Sequence, residues 1–147
     1  MAEASARAAR WVRQQGFRLA TEPEVEVPGL PPDITAMHEE DLMILFTKII
    51  SWIDWIEVQY VSSQIDEKKA ENDLEKIAAL TQIVHKGEKS VTAAKAHIFE
   101  NEEYLMQRAE AFTAYSRRKM FETIYNSLDR KKFLVSREIT RRKYGNE

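Results

Sequence analysis

Residues 117–143 carry an unusually high density of positive charge. This segment holds ten lysines and arginines against three acidic residues, a net charge of +7, whereas residues 1–116 hold twelve basic and twenty acidic residues. The basic residues are Arg117, Arg118, Lys119, Arg130, Lys131, Lys132, Arg137, Arg141, Arg142 and Lys143. Lysine and arginine contact nucleic-acid phosphates regardless of base sequence. The chemistry that this segment offers is therefore the binding of an anionic partner.

Aromatic residues alternate with these cations along the same segment. They are Tyr115, Phe121, Tyr125, Phe133 and Tyr144. Aromatic rings stack on the unpaired bases of a single strand. An alternative interpretation is a solvated helix face whose cations complement the negative C-terminal end of the helix dipole. Ten cations exceed that need, so we predict an anionic partner, which is either nucleic acid or the acidic part of another subunit.

The residue types that support catalysis are absent or badly spaced. There is no cysteine, and His38, His85 and His97 stand in three separate sequence contexts. Gln82 and Ala94 occupy the positions three residues before the two helical histidines, where a helical di-metal site requires glutamate. The four glycines are isolated, so the chain has no glycine-rich phosphate loop. We therefore expect no catalytic residue, no metal, no cofactor and no enzymatic activity.

The distribution of proline predicts an all-α fold. All four prolines precede residue 33, whereas a β-sandwich or barrel needs turn residues about every ten positions. We predict that residues 1–36 form a flexible tail, with a short basic helix followed by an acidic, proline-rich linker. Residues 37–147 are predicted to form one helical domain for oligomerisation and binding. No apolar run reaches the roughly 20 residues of a membrane span, so we expect a soluble, cytoplasmic protein without a membrane partner.

Two long helices are predicted within this domain. Apolar residues recur at intervals of three and four between residues 42 and 60, and residues 85–87 form the clear break that follows. The second helix starts near Ser90. It is roughly 50 residues long if unbroken, on the order of 75 Å. Alternatively, it breaks near Asn101 or Asn126 and folds back into a bundle.

The second predicted helix carries an apolar stripe from Val91 to Ile139. This stripe is too long to be buried by one partner helix of the same chain. A long helical hairpin or bundle that assembles into a ring-like homo-oligomer solves this problem. Trp52 is interpreted chiefly as a core residue and Trp55 as facing a neighbouring subunit, with a base-stacking platform as the alternative for both. The residues predicted to support oligomerisation are Trp52, Trp55, Leu105, Phe112, Phe121, Ile124 and Leu128.

Three segments together resemble a known family. They are residues 42–69 (LMILFTKIISWIDWIEVQYVSSQIDEKK), residues 95–115 (KAHIFENEEYLMQRAEAFTAY) and residues 127–142 (SLDRKKFLVSREITRR). Their order and spacing resemble UvsY-type recombination mediators of tailed phages. The resemblance implies a small, ring-forming helical protein that acts in DNA recombination and repair. Such a protein binds single-stranded DNA and helps a RecA-like recombinase displace single-strand-binding protein.

The resemblance also implies positions for DNA contact. Phe46, Lys48 and Trp52 match the family's apolar helix loosely. Lysines of the linker between the two long helices would bind DNA, namely Lys86 and Lys89, with Lys76 beside them. The aromatic-then-basic terminal helix is matched by Tyr115, Phe133, Arg137 and Arg141. The proline-rich extension before residue 33 departs from the family pattern.

The resemblance implies a location in the cytoplasm of a phage-infected host cell. A rival interpretation keeps the same fold but changes the partner. The chain would then be a non-enzymatic structural or adaptor protein, for example a phage assembly factor, whose basic C-terminal helix docks on an acidic protein surface.

Overall fold

A computed structural model describes residues 2–85, 87 and 90–145. Four α-helices are present over these residues: α1 (Glu3–Gln14), α2 (Glu39–Val84), α3 (Val91–Glu100) and α4 (Glu102–Tyr144). A short 3₁₀ turn at Ile34–Ala36 precedes α2, and the described residues contain no strand. The all-α prediction is therefore confirmed. Within the described part of the chain, no helix is both long enough and apolar enough to cross a bilayer.

The contacts divide the chain into two compact units, which we describe separately. The first unit comprises Met1–Arg10 and Ser62–Lys119, and the second comprises Trp11–Val61 and Met120–Glu147. The apolar core cluster lies in the second unit. Its buried members are Leu42, Leu45, Ile49, Trp52, Ile53, Ile56, Leu128 and Val135. The stripe predicted between residues 42 and 60 therefore packs on α4 within that unit.

The entry into α2 is fixed by polar contacts within the second unit. The Asp33 carboxylate accepts hydrogen bonds from the Thr35 hydroxyl (2.5 Å) and the Thr35 amide (2.9 Å), and these two bonds lower the pKa of Asp33. Arg142 donates to the carbonyls of Ile34 and Thr35, each at 3.2 Å. The guanidinium thereby satisfies carbonyl groups of the 3₁₀ turn. The α2 helix then begins with an acidic first turn, which suits the positive end of its dipole.

In the first unit, α3 and α4 are separate helices that meet at Asn101. Ser90 caps α3 by accepting a hydrogen bond from the Ala93 amide (3.1 Å). The Asn101 side chain accepts from the Glu103 amide (2.9 Å) and donates to the Thr81 hydroxyl (2.9 Å). The structure therefore contains the break near Asn101 that the sequence left open. The alternative break near Asn126 is absent, because α4 continues to Tyr144.

Residues before α2 make several packing contacts. In the first unit, Asp66 accepts hydrogen bonds from the Ser5 amide (3.2 Å) and hydroxyl (2.9 Å), and Ser5 is buried. In the second unit, the Trp52 indole donates to the Glu26 carbonyl (3.2 Å). The basic helix predicted near the N-terminus is present as α1. A flexible tail over residues 1–36 stays a prediction, and these contacts weigh against it.

Candidate nucleic-acid interface

One face of α4 in the second unit presents arginines and aromatic rings to solvent. We define the arginine–aromatic stripe as Arg130, Phe133, Arg137, Arg141 and Tyr144, which are spaced by three or four residues and share one helix face. All five are exposed, with Phe133 at 59% and Tyr144 at 66%. The buried residues of the same helix lie on the opposite side, so packing within the unit leaves the stripe uncovered.

Two members of the stripe contact each other. The Arg137 guanidinium carbon lies 5.7 Å from the centre of the Phe133 ring. A cation over an aromatic face is attracted by the ring quadrupole while keeping its donors in water. The contact therefore holds a guanidinium and an aromatic ring side by side on the surface.

A buried carboxylate fixes the end of the helix. Glu138 is 5% exposed and accepts hydrogen bonds from Arg141 (2.6 and 2.9 Å) and Arg142 (3.0 Å). The hydrogen bonds from Arg141 and then Arg142 lower the pKa of Glu138 from 4.5 to about 2. The Arg141 side chain remains 64% exposed, whereas that of Arg142 is 20% exposed. Arg142 is therefore committed to contacts within the unit, whereas most of the Arg141 side chain remains accessible to solvent.

The remaining predicted cations of the second unit flank the stripe. Lys131 and Lys132 are half-buried. The Lys132 ammonium lies 2.8 Å from the Asp129 carboxylate, and that hydrogen bond raises the pKa of Lys132. Lys143 is exposed. These lysines add positive charge to α4 on positions outside the arginine–aromatic stripe.

Three of the predicted cations of α4 belong to the first unit and have different roles, namely Arg117, Arg118 and Lys119. Arg118 forms a two-pronged ion pair with Glu67, at 2.6 and 3.2 Å, and both side chains are largely buried. Arg117 and Lys119 are exposed. Arg118 therefore joins α4 to α2, and only its two neighbours offer an accessible side chain. Lys86 and Lys89, the predicted linker contacts, lie outside the described residues.

The residues predicted to support oligomerisation fall into two groups. Trp52 and Leu128 are buried in the core of the second unit, and Trp55 and Phe121 pack against it. Leu105, Phe112 and Ile124 are exposed. The exposed group alone is available to a second subunit without rearrangement of the chain, so the oligomerisation prediction now concerns those three.

Two of the three histidines come together, which the sequence analysis did not anticipate. His85 and His97 stack at 3.9 Å between ring centres, and Nδ1 of His97 lies 3.2 Å from Glu100. Twelve residues and a helix break separate the two histidines, so spacing carried no signal of the contact. The described side chains form no group of three or more residues that could hold a metal ion.

Comparisons with known proteins find no relative of this chain. No protein-family model matches the chain, and no curated protein or solved structure matches it significantly. The function therefore has to be argued from the residues and their geometry.

Proposed function

We propose that the chain is a non-enzymatic protein that binds single-stranded DNA through the arginine–aromatic stripe. The observation that carries the proposal is the exposure of Phe133 and Tyr144 among three exposed arginines on one helix face. Aromatic residues and arginine are enriched at interfaces relative to the rest of a protein surface. The combination of exposed aromatic rings and exposed arginines favours a ligand that is anionic and rich in aromatic rings.

The arginines and the aromatic residues of the stripe have different roles in this proposal. Arg130, Arg137 and Arg141 contact phosphates and release condensed counterions, which makes the affinity depend on salt but not on base sequence. Phe133 and Tyr144 stack on bases, which are accessible in a single strand and paired inside a duplex. The combination therefore prefers single-stranded over double-stranded DNA.

The proposed cellular role comes from the resemblance to UvsY-type mediators. The chain forms a homo-oligomer, presents several stripes to one strand, and so adds weak contacts through effective concentration. It weakens the hold of single-strand-binding protein on the strand and assists loading of a RecA-like recombinase during phage DNA recombination and repair. None of these steps requires a cofactor.

Fluorescence anisotropy with a labelled oligonucleotide tests the proposal. The wild-type chain is titrated against a single-stranded oligonucleotide and against the duplex of the same sequence, at low salt. We expect tighter binding to the single strand. The double variant Phe133→Ala/Tyr144→Ala removes both rings, and stacking contributes about 1–3 kcal/mol per base. We therefore expect at least a tenfold weaker affinity for the single strand and little change for the duplex.

Phe17→Ala is the matched control, because Phe17 is 68% exposed and lies outside α4. It should bind the single strand as the wild type does. Absence of binding by the wild-type chain at low salt would overturn the proposal. The adaptor interpretation would then replace it, with the stripe docking on an acidic protein surface.

A further inference from the structure

The first unit leaves most of its large apolar side chains in solvent. Among the described residues, its buried apolar members are Ala9, Ile98 and Ala111. Its exposed ones are Leu80, Ile83, Val84, Val91, Phe99, Leu105, Met106, Phe112 and Tyr115. Where such side chains adjoin one another, they mark a surface that another molecule covers.

The α4 part of this surface forms a helical stripe. Leu105, Ala109 and Phe112 are four and three residues apart, so they share one face. Leu105 is 44% exposed, Phe112 is 68% exposed, and Ala109 is also exposed. A small residue between two large ones leaves a recess into which a large side chain fits.

Charges at the two ends of this stripe have opposite signs. Glu102 is exposed at the start of α4, and Lys119 is exposed two turns beyond Phe112; both continue the spacing of the stripe and lie on its face. A second copy of α4 laid parallel to the first would oppose like charges at both ends. An antiparallel copy opposes acid to base at both ends, so the charge pattern selects the antiparallel arrangement.

We propose that this stripe pairs with the same stripe of a second copy of the chain, antiparallel, around a two-fold axis between Glu110 and Ala111. Placing Glu102 opposite the partner's Lys119 sets Leu105 opposite the partner's Ser116 and Ala109 opposite the partner's Phe112. Each Phe112 ring then fills the recess at the partner's Ala109. This two-fold pairing is self-complementary, as isologous interfaces must be. It rests on the oligomer of the proposed function and needs no DNA.

Single-cysteine labelling tests the pairing directly, because the chain has no cysteine of its own. Thr113→Cys and Met120→Cys variants, at exposed positions on the edge of this face, are each labelled with pyrene, whose excimer emission requires two rings in contact. Along an antiparallel pair, the two copies of residue 113 are offset by about 7.5 Å and those of residue 120 by about 28 Å. We expect strong excimer emission from residue 113 and weak emission from residue 120. Equal emission from both sites would indicate a parallel pair and overturn the proposal.

Charge exchange supplies an independent test by sedimentation velocity. Glu102→Lys makes both ends of the stripe basic and Lys119→Glu makes both ends acidic, so each variant should associate several-fold more weakly than the wild type. The double variant Glu102→Lys/Lys119→Glu restores complementary ends and should associate as the wild type does, which also excludes misfolding as the cause. Phe112→Gln should weaken association in all backgrounds.

The outcomes separate this pairing from the general oligomer. An oligomer that is unchanged by all of these substitutions would overturn the α4 pairing and leave the oligomer in place. A wild-type monomer would contradict both. Neither result bears on the contacts that a single arginine–aromatic stripe makes with a strand, which the anisotropy titration tests separately.

Discussion

Arg141 and Arg142 are adjacent, contact the same carboxylate, and have different tasks. Arg142 donates to Glu138 and to carbonyls near residue 34, so its guanidinium is committed to the fold. Arg141 donates to Glu138 from the solvent side. Replacing Arg142 removes a contact within the second unit, whereas replacing Arg141 leaves the carbonyls near residue 34 satisfied. Neighbouring cations in the sequence can therefore differ in role: some are bound within the fold, and others remain exposed to a ligand.

The Glu138 cluster predicts a specific dependence of stability on pH. Because its folded pKa is about 2 and its ordinary value is 4.5, the ionised carboxylate stabilises the fold fully above about pH 4.5. That contribution is lost as the pH falls from 4.5 towards 2. Glu138→Gln removes the titrating group. We expect this variant to be less stable than the wild type at pH 7, and the difference to shrink through that window.

Urea unfolding at pH 7, 4.5 and 2 measures this difference, since urea leaves ion pairs unscreened. Asp54→Asn is the control, because Asp54 is exposed on α2 of the same unit. Its free energy of unfolding should track that of the wild type at each pH. A Glu138→Gln difference that stayed constant from pH 7 to pH 2 would contradict the assignment.

At the scale of elements, one side chain separates α3 from α4. Asn101 ends α3, caps α4 and reaches the Thr81 hydroxyl on α2. Loss of an N-cap costs about 0.5–2 kcal/mol, and a lost side-chain hydrogen bond about 1 kcal/mol. We therefore expect Asn101→Ala to lower the free energy of unfolding by about 1–3 kcal/mol. Asn101→Asp, which keeps the acceptor and loses the donor to Thr81, should lower it less.

Circular dichroism during urea unfolding gives both values, with helix content checked before denaturant is added. Asn126→Ala is the matched control, because Asn126 is exposed within α4 and α4 does not break there. It should be neutral or slightly stabilising, since alanine has the higher helix propensity. Equal losses at the two positions would show that Asn101 has no special role.

Much of this architecture follows from local sequence rules. The apolar spacing of α2, its end before Gly87 and the start of α3 after Ser90 were all predicted correctly, because period and capping are local properties. The break at Asn101 stayed ambiguous. Asparagine is a common N-cap, but its presence alone does not decide whether a helix breaks, and the further contact to Thr81 lies twenty residues away in the sequence. Contacts between distant residues decide such cases.

The same distinction applies to the candidate site. The arginine–aromatic stripe can be drawn from helical spacing alone, since Arg130, Phe133 and Arg137 follow each other at intervals of three and four. The ion pair that buries Arg118 cannot be predicted from helical spacing, because its partner Glu67 lies 51 residues earlier in the sequence. Sequence spacing therefore identifies the face, and tertiary contacts identify which cations remain available on it.

At the scale of the whole molecule, apolar burial is distributed unevenly between the two units. The core cluster lies in the second unit, which also carries the arginine–aromatic stripe. The first unit buries few apolar side chains and exposes many. A unit with little buried apolar surface gains stability by association. We therefore propose that DNA binding belongs to the second unit and self-association to the first.

The central claim is that arginines of the stripe contact DNA phosphates. Each lost phosphate contact lowers the slope of log affinity against log salt by about 0.7 on a single strand. Arg130→Gln/Arg137→Gln should therefore reduce the slope by roughly 1.4 and weaken binding to all single-stranded sequences. Lys68→Gln/Lys69→Gln removes the same charge from exposed positions of α2 and should leave the slope unchanged. Equal slopes for the wild type and the arginine variant would contradict the account.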